Sequence, residues 1–137
     1  WFKAQGIAES NLNPKAKSRV GAKGIMQIMP ATYKEILKKN PYLPATDEPR
    51  WNIAAGIFYD RMMYRKWKQK KTLPTTERLS LSFASYNAGL GTMLKAYKKA
   101  SKKHGKVKEW QQIKSFAPGE TRFYVKRINN LMQATAN

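Results

Sequence analysis

Residues 8–32 read AESNLNPKAKSRVGAKGIMQIMPAT, and the rest of the chain is organised around this stretch. A single carboxylate, Glu9, stands at the end of a predicted helix, and a loop rich in Asn, Pro and Gly leads from it to a second apolar helix. The Asn-Pro pair at 13–14 marks the turn that ends the first helix. Gly21 and Gly24 permit a positive φ or the close approach of another backbone. The sequence therefore predicts a loop that returns beside Glu9.

The residues around Glu9 suit a proton donor. Apolar neighbours flank it in the sequence: Trp1, Phe2, Ile7 and Leu12. Desolvation by such neighbours disfavours the charged form and raises the pKa of a carboxyl group. A Glu that remains protonated near neutral pH can give its proton to a leaving oxygen. Glu9 taken alone also fits the more common case of a carboxylate that faces solvent at a helix end.

The returning segment carries polar groups of its own. Ser18 supplies a hydroxyl and Gln27 supplies an amide, and the predicted loop brings both back beside Glu9. Groups that both donate and accept hydrogen bonds suit a neutral, hydroxyl-rich ligand.

Three segments resemble the motifs of one known family. Residues 9–32 follow the pattern E-S-x-x-N-P-x-A-x-S-x-x-G-A-x-G-I-M-Q-I-M-P-x-T, which resembles the opening motif of the soluble lytic transglycosylases. Residues 85–91 resemble the family segment A-Y-N-A-G-x-G, with Ser85 in place of the first Ala, and residues 120–125 resemble E-T-R-x-Y-V. The three segments lie in the expected order and span almost the whole chain, so the family assignment covers the chain as a whole.

The chain is predicted to be all-α. No credible strand appears in period-two alternation, and helical spacing predicts about seven helices. Their expected ranges are residues 1–10, 31 or 32 to 40, 51–70, 75 or 76 to 87, 91 or 92 onward, 107–116, and 120 onward. The resemblance implies a lysozyme-like fold, shared with goose-type lysozymes, around a saccharide-binding cleft. The family fold also allows a small β-hairpin, for which this sequence gives no clear support.

Local patterns predict how several helices begin and which side chains they bury. Thr32 and Glu35 fit a capping box, so the second helix is expected to start near Thr32. Thr75 or Thr76 is expected to cap the fourth helix. In the fifth helix, Leu94 is expected to point inward and the lysines outward.

The resemblance implies a mechanism with one carboxylate. Glycosidases ordinarily use two carboxyl groups, yet Glu9 is one of only 8 acidic residues, and most of the others have plain helix-end or helix-surface roles. In the family scheme Glu9 protonates the glycosidic oxygen between N-acetylmuramic acid and N-acetylglucosamine. It then takes the proton from the muramoyl C6 hydroxyl, which closes a 1,6-anhydro ring.

The resemblance also assigns six substrate-binding residues. Ser18 and Gln27 would hydrogen-bond the acetamido group or hydroxyls of the sugar, and Met29 would form an apolar wall. Tyr86 and Asn87 would line the cleft opposite Glu9, and Glu120 would bind sugar hydroxyls on the far side. Ordinary core packing stays open for Met29 and Tyr86, because such residues at helical spacing usually pack inside.

Charge and composition limit the partners. The 27 Lys and Arg against 8 Asp and Glu give a formal charge of +19, which attracts polyanions. Nucleic acid is one candidate, but the basic residues are spread along the chain, and anionic polymers of a bacterial envelope satisfy the charge equally well. The absence of cysteine and a single histidine, His104, exclude the usual metal centres, so we expect no cofactor and read His104 as a solvated loop residue.

Length predicts one domain over residues 1–137, and the start at Trp1 indicates a processed chain or a piece of a longer one. No apolar run approaches the ~20 residues that a membrane span needs. We also expect the protein to be a monomer. The resemblance implies action at the bacterial cell envelope, or in a phage virion or lysis system. Two alternatives stay open: a goose-type hydrolase acting on the same bond, and a non-catalytic wall-binding module.

Overall fold

A computed structural model describes residues 1–136 and shows a helical chain. The described residues form seven α-helices and one 3-10 turn: α1 Phe2–Ser10, α2 Pro30–Lys39, α3 Pro49–Trp67, α4 Thr75–Ala88, α5 Leu90–His104, α6 Trp110–Ile113, the 3-10 turn Lys114–Phe116, and α7 Gly119–Ala136. The predicted all-α class is therefore confirmed. Within residues 1–136 extended pairing is limited to isolated antiparallel bridges, which join Lys17 to Lys23 and Lys23 to Ile28 in the loop before α2.

The chain divides into two compact units. The first contains residues 1–59 and the chain from Ile128 onward, and the second contains residues 60–127. The division falls inside α3 and inside α7. The expectation of a single domain stays a prediction.

The core of the first unit is built on the loop that precedes α2. Ile25, Met26 and Ile28 are buried together with residues of α2 and α3. Gly56 of α3 lies directly against Met26, since a Cβ atom at Gly56 would be 2.7 Å from the Met26 Cβ. The absence of a side chain at Gly56 therefore lets the loop pack directly on α3.

The core of the second unit forms around α4 and α5, which pack on each other, while α5 also packs on α6. Its large, fully buried side chains include Trp67, Leu81, Phe83, Met93 and Ile113. The indole of Trp67 also contacts the ring of Tyr97, with ring centroids 5.7 Å apart.

Two predicted helix caps were wrong. Helix α2 begins at Pro30 with Met29 as its N-cap, so Thr32 lies inside the first turn and forms no capping box. Proline is favoured at the first helical position because its φ is already helical, and this moves the start upstream. Helix α4 begins at Thr75 directly after Pro74, so neither Thr75 nor Thr76 is the cap.

Other local expectations also need correction. Leu94 is 41% exposed, although it was expected to point inward. Helix α3 begins at Pro49 rather than Trp51 and ends at Trp67 rather than Lys70, and α5 begins at Leu90. His104 is exposed, as expected, but it is the last residue of α5 rather than part of a loop.

Candidate functional site

Glu9 lies in the last turn of α1 and is half-buried. Asn11 ends this helix in the left-handed conformation (φ 55°), and its N–H donates to the Ile7 carbonyl at 2.9 Å. The expected apolar neighbours Trp1, Phe2 and Leu12 are themselves exposed, so they shield Glu9 only in part. The last turn of a helix holds the negative end of the helix dipole, which disfavours a second negative charge there.

The residue next to Glu9 fixes the end of α1 to the returning loop. The Ser10 hydroxyl donates a hydrogen bond to the Ile25 carbonyl at 2.8 Å, and the Ser10 hydroxyl oxygen accepts one from the Asn13 N–H at 3.2 Å. Ser10 belongs to the sequence motif, but the sequence predicted no role for it. Its bond to Ile25 places the end of the Glu9 helix against the segment that carries Gln27.

Ser18 closes the tip of the loop. The Ser18 N–H donates to the Ala22 carbonyl, and the Ala22 N–H donates to the Ser18 hydroxyl oxygen, both at 2.9 Å. Gly21 permits this narrow turn with φ +94°. The Ser18 hydroxyl accepts a hydrogen bond from the protein in this arrangement, and its proton can be donated to a ligand.

Gln27 is part of the loop framework as well as a candidate binding residue. Its amide nitrogen donates to the Ala16 carbonyl at 3.2 Å and to the Gly24 carbonyl at 2.9 Å. Both amide protons are therefore used by the protein, and the side-chain oxygen is the group that can accept from a ligand. The backbone of Gln27 is left-handed (φ 48°), which sets the direction of the side chain.

The sequence predicted no role for Asn52, whose side chain fixes this loop to α3 by hydrogen bonds. Asn52 is 6% exposed on α3; its side-chain oxygen accepts from the Met26 N–H at 2.8 Å and its amide donates to the Lys23 carbonyl at 3.0 Å. Gly24 makes room for it, since a Cβ atom at Gly24 would be 2.5 Å from the Asn52 amide nitrogen. The only signal in the sequence was the N-x-x-A-G pattern that begins at Asn52.

Met29 lies at the start of α2, where it is the N-cap residue and is 36% exposed. This exposure removes the core-packing interpretation of Met29. Its role as an apolar wall for a sugar stays a prediction.

The second unit brings three of the predicted site residues into one region. Tyr86 and Asn87 lie in the last turn of α4, and Glu120 is exposed in the first turn of α7. The Thr121 hydroxyl donates to the Asn87 side-chain oxygen at 2.8 Å, which joins the end of α4 to the start of α7. Thr121 is 1% exposed and was a motif residue without an assigned role. The Asn87 amide nitrogen is the group that can donate to a ligand.

The chain departs from the family pattern at Ser85, and the fold explains why a hydroxyl stands there. The indole N–H of Trp67 donates to the Ser85 hydroxyl oxygen at 2.7 Å, and both residues are fully buried. A buried indole N–H needs a hydrogen-bond acceptor. Ser85, which precedes Tyr86 in the chain, supplies this acceptor.

Within residues 1–136 no group of three or more His, Asp or Glu side chains could hold a metal ion. None of the helices described there is both long and apolar enough to cross a bilayer.

Comparison with known proteins identifies the family. The model of the transglycosylase SLT domain matches residues 3–109. The chain belongs to the transglycosylase SLT family. The matched range includes every predicted site residue except Glu120, so the three positions of the returning loop and the Tyr86-Asn87 pair all lie inside the SLT domain.

Individual relatives agree with the SLT assignment. The chain is 31% identical over 120 residues to the membrane-bound lytic murein transglycosylase F of Shewanella halifaxensis, covering 86% of this chain and 24% of that protein. It is 31% identical over 129 residues to the protein of the same name from Yersinia enterocolitica, covering 90% of this chain and 25% of that protein.

A solved structure gives the same result for the fold. The 70 kDa soluble lytic transglycosylase of Escherichia coli matches with a TM-score of 0.72 and 32% identity, over 91% of this chain and 19% of that one. The SLT chain described here thus spans a quarter or less of the length of these relatives. The predicted lysozyme-like architecture is confirmed.

Proposed function

We propose that this SLT domain is a peptidoglycan lytic transglycosylase that cleaves the β-1,4 bond between N-acetylmuramic acid and N-acetylglucosamine. The observation that carries the proposal is the family match over residues 3–109, in which Glu9 lies in the last turn of a helix that is hydrogen-bonded to the loop of the same motif. Relatives named as lytic murein transglycosylases support the choice of substrate.

Glu9 acts twice in the proposed reaction. As a neutral acid it gives its proton to the glycosidic oxygen while the bond from that oxygen to muramoyl C1 breaks. As a carboxylate it then takes the proton of the muramoyl C6 hydroxyl, whose oxygen forms a new bond to C1. The products are a free 4-hydroxyl on the leaving sugar and a 1,6-anhydro ring, so no water is consumed.

The environment of Glu9 supports the first of these steps. Glu9 is half-buried and lies in the last turn of α1, at the negative end of the helix dipole, which is a setting that suits a proton donor. A carboxyl that shuttles a proton supplies about 10²–10⁴-fold in rate. Binding and distortion of the sugar must supply the remainder.

Two of the other acids support a mechanism with one carboxylate because they are not available to the substrate. The Glu109 side chain caps α6. Asp60 is 5% exposed, so a polymeric substrate cannot reach it. These positions favour closure of the anhydro ring over a second carboxylate as nucleophile.

The remaining binding roles follow from the hydrogen bonds that each side chain still has to offer. We assign to Ser18 the donation of a hydroxyl proton to the sugar, and to the Gln27 side-chain oxygen the acceptance of an N–H or O–H from it. Met29 would contact a ring face, since it is exposed and apolar. The sugar-binding roles of Tyr86, Asn87 and Glu120 stay predictions of the family resemblance.

The place of action we propose is the bacterial cell wall, with peptidoglycan glycan strands as the partner. The names of the relatives support this placement.

Mass analysis of digested muropeptides tests the proposal. Purified peptidoglycan is incubated with the domain, and the new chain ends are weighed. Transglycosylase action gives anhydromuramoyl ends, which are lighter by one water than reducing ends. Reducing ends would establish the hydrolase instead, and the absence of new ends would leave a wall-binding module.

A further inference from the structure

Helix α5 carries a cationic face whose charge is not balanced by acidic residues of the same helix. Its sequence, LGTMLKAYKKASKKH, contains five lysines and no acidic residue. All five side chains are exposed: Lys95, Lys98, Lys99, Lys102 and Lys103. Several of them are spaced by three or four residues, which places like charges side by side and destabilises a helix. Within residues 1–136 none of these lysines has an ion-pair partner, so the helix retains a repulsion that an anionic partner would relieve.

A groove runs beside this face within the second unit. Its volume is about 450 Å³, and it is lined on the α5 side by Thr92, Lys95 and Lys99. The opposite side is formed by residues 116–118, Phe-Ala-Pro, after α6. Two lysines and a threonine therefore line the groove opposite an apolar side. This suits a ligand that combines anionic groups with short hydrocarbon or polyol segments.

The basic face is long enough for several charges of a polymer. Lys95 and Lys103 are eight residues apart, which corresponds to about 12 Å along a helix. Lys95, Lys99 and Lys102 follow one another at helical spacing on the same side. An extended polyanion lying along α5 would therefore meet one ammonium group after another.

We propose that the α5 basic face, defined as the five lysines of α5 and the adjoining groove, binds a wall polymer of phosphodiester-linked polyols. The inference rests on the proposed function, because that function brings the domain to the cell wall. The phosphates of such a polymer would meet the lysines on the α5 side of the groove, and its polyol segments would lie against the side formed by residues 116–118. Binding would hold the domain on the wall between cleavage events.

Single-stranded nucleic acid fits this face less well. Proteins that bind such strands without sequence preference combine basic grooves with aromatic rings on which bases stack. The aromatic side chain on α5 is that of Tyr97, which is half-buried and packs against Trp67. The Lys70 ammonium lies 4.8 Å from the centroid of the Tyr97 ring. The face thus offers charge along its length but no row of exposed rings.

The test measures binding to purified poly(glycerol phosphate) by calorimetry at about 50 mM and about 200 mM salt. Two triple Lys→Gln variants lose the same charge from exposed positions. The first variant replaces Lys95, Lys99 and Lys102 on α5. The second, a matched control, replaces Lys34, Lys38 and Lys39 on α2. We expect the α5 variant to bind roughly tenfold more weakly at low salt and to show a salt slope smaller by about 2 to 3. The α2 variant should stay within about twofold of the parent.

Equal losses in the two variants would overturn the proposal, because binding would then depend on overall charge. Failure of the parent to bind the polymer would also overturn it. An oligonucleotide of matched charge is tested in the same way. If it bound more tightly and with the same dependence on the α5 lysines, the ligand of this face would be nucleic acid instead. Cleavage of peptidoglycan stripped of phosphodiester polymers is measured in parallel. The α5 variant should cleave it at the parental rate, whereas inactivity of the parent would remove the proposed function without affecting the binding result.

Discussion

The hydroxyl of Ser10 and the backbone carbonyl of Ile25 are joined by a hydrogen bond of 2.8 Å. This bond links the helix that carries Glu9 in its last turn to the loop that carries Gln27. Ser10→Ala should therefore lower kcat about tenfold while KM changes little, because a small misplacement of a reacting group is costly. It should lower the free energy of unfolding by about 1 kcal/mol. Ser10→Thr retains the hydroxyl and should restore most of kcat, so equal loss in both variants would contradict a positioning role.

Removing the acid at position 9 should abolish cleavage. Glu9→Gln keeps the shape of the side chain but cannot exchange a proton, so the rate should fall about a hundredfold or more. Turnover of purified peptidoglycan is the measurement. Glu48→Gln is the matched control, because Glu48 is exposed and its ion pair with Arg50 contributes little. A Glu9→Gln variant that clears walls as fast as the control would remove the catalytic assignment.

Two glycines of the same loop separate backbone strain from steric overlap. Gly21 and Gly24 both have positive φ, +94° and +79°, but only Gly24 has a neighbour within reach of a Cβ atom, the side chain of Asn52. Gly21→Ala should cost about 1–2 kcal/mol from strain alone. Gly24→Ala should cost about 2 kcal/mol more, because it also displaces the amide that bonds Met26 and Lys23. Urea unfolding measures both, and equal costs would show that Asn52 yields without loss.

The pair Ser85 and Trp67 should be energetically coupled. Ser85→Ala restores the residue of the family pattern, yet it leaves the buried indole N–H without its acceptor, which should cost about 1–3 kcal/mol. Trp67→Phe removes the donor, so Ser85→Ala should cost less in that background. A double-mutant cycle by chemical unfolding gives the coupling energy. A coupling near zero would mean that the hydrogen bond makes no net contribution.

Stability should fall in alkali through two tyrosines of the first unit. Burial raises the pKa of Tyr33 above its ordinary value of 10.0, and the charge of Asp47 adds to this. Burial and the charge of Glu35 raise the pKa of Tyr59. Above about pH 10 the unfolded chain ionises these groups before the folded chain does. Their stabilisation is thus complete below about pH 10 and is lost as pH rises through the folded values.

Unfolding by urea between about pH 9 and pH 11 checks this expectation. The Tyr33→Phe/Tyr59→Phe variant should lose less stability across the window than the parent. Tyr42→Phe is the control, since Tyr42 is 94% exposed and should follow the parent. Parallel loss in all three proteins would place the alkaline sensitivity elsewhere.

Local patterns predicted most of the helices because a helix depends on spacing within a few residues. Ser10, Tyr86 and the long α3 pattern were all placed on helices from the sequence, and the structure agrees. The errors arise where two local signals compete, because the spacing of residues does not decide which signal prevails. Proline at position 30 overrode the capping signal of Thr32, and Leu94 remained on the surface although it follows the helical period.

The sequence by itself determined the family, the helical class and the identity of Glu9 as the candidate acid, since these depend on residue types in a fixed order. Only the tertiary structure decided which groups support that acid. Ser10 reaches Ile25 across 15 positions, Asn52 reaches Met26 across 26, and Thr121 reaches Asn87 across 34. Such bonds form between residues that meet only after the chain has folded. No local period or propensity encodes them, because their energy depends on partners that are distant in the sequence.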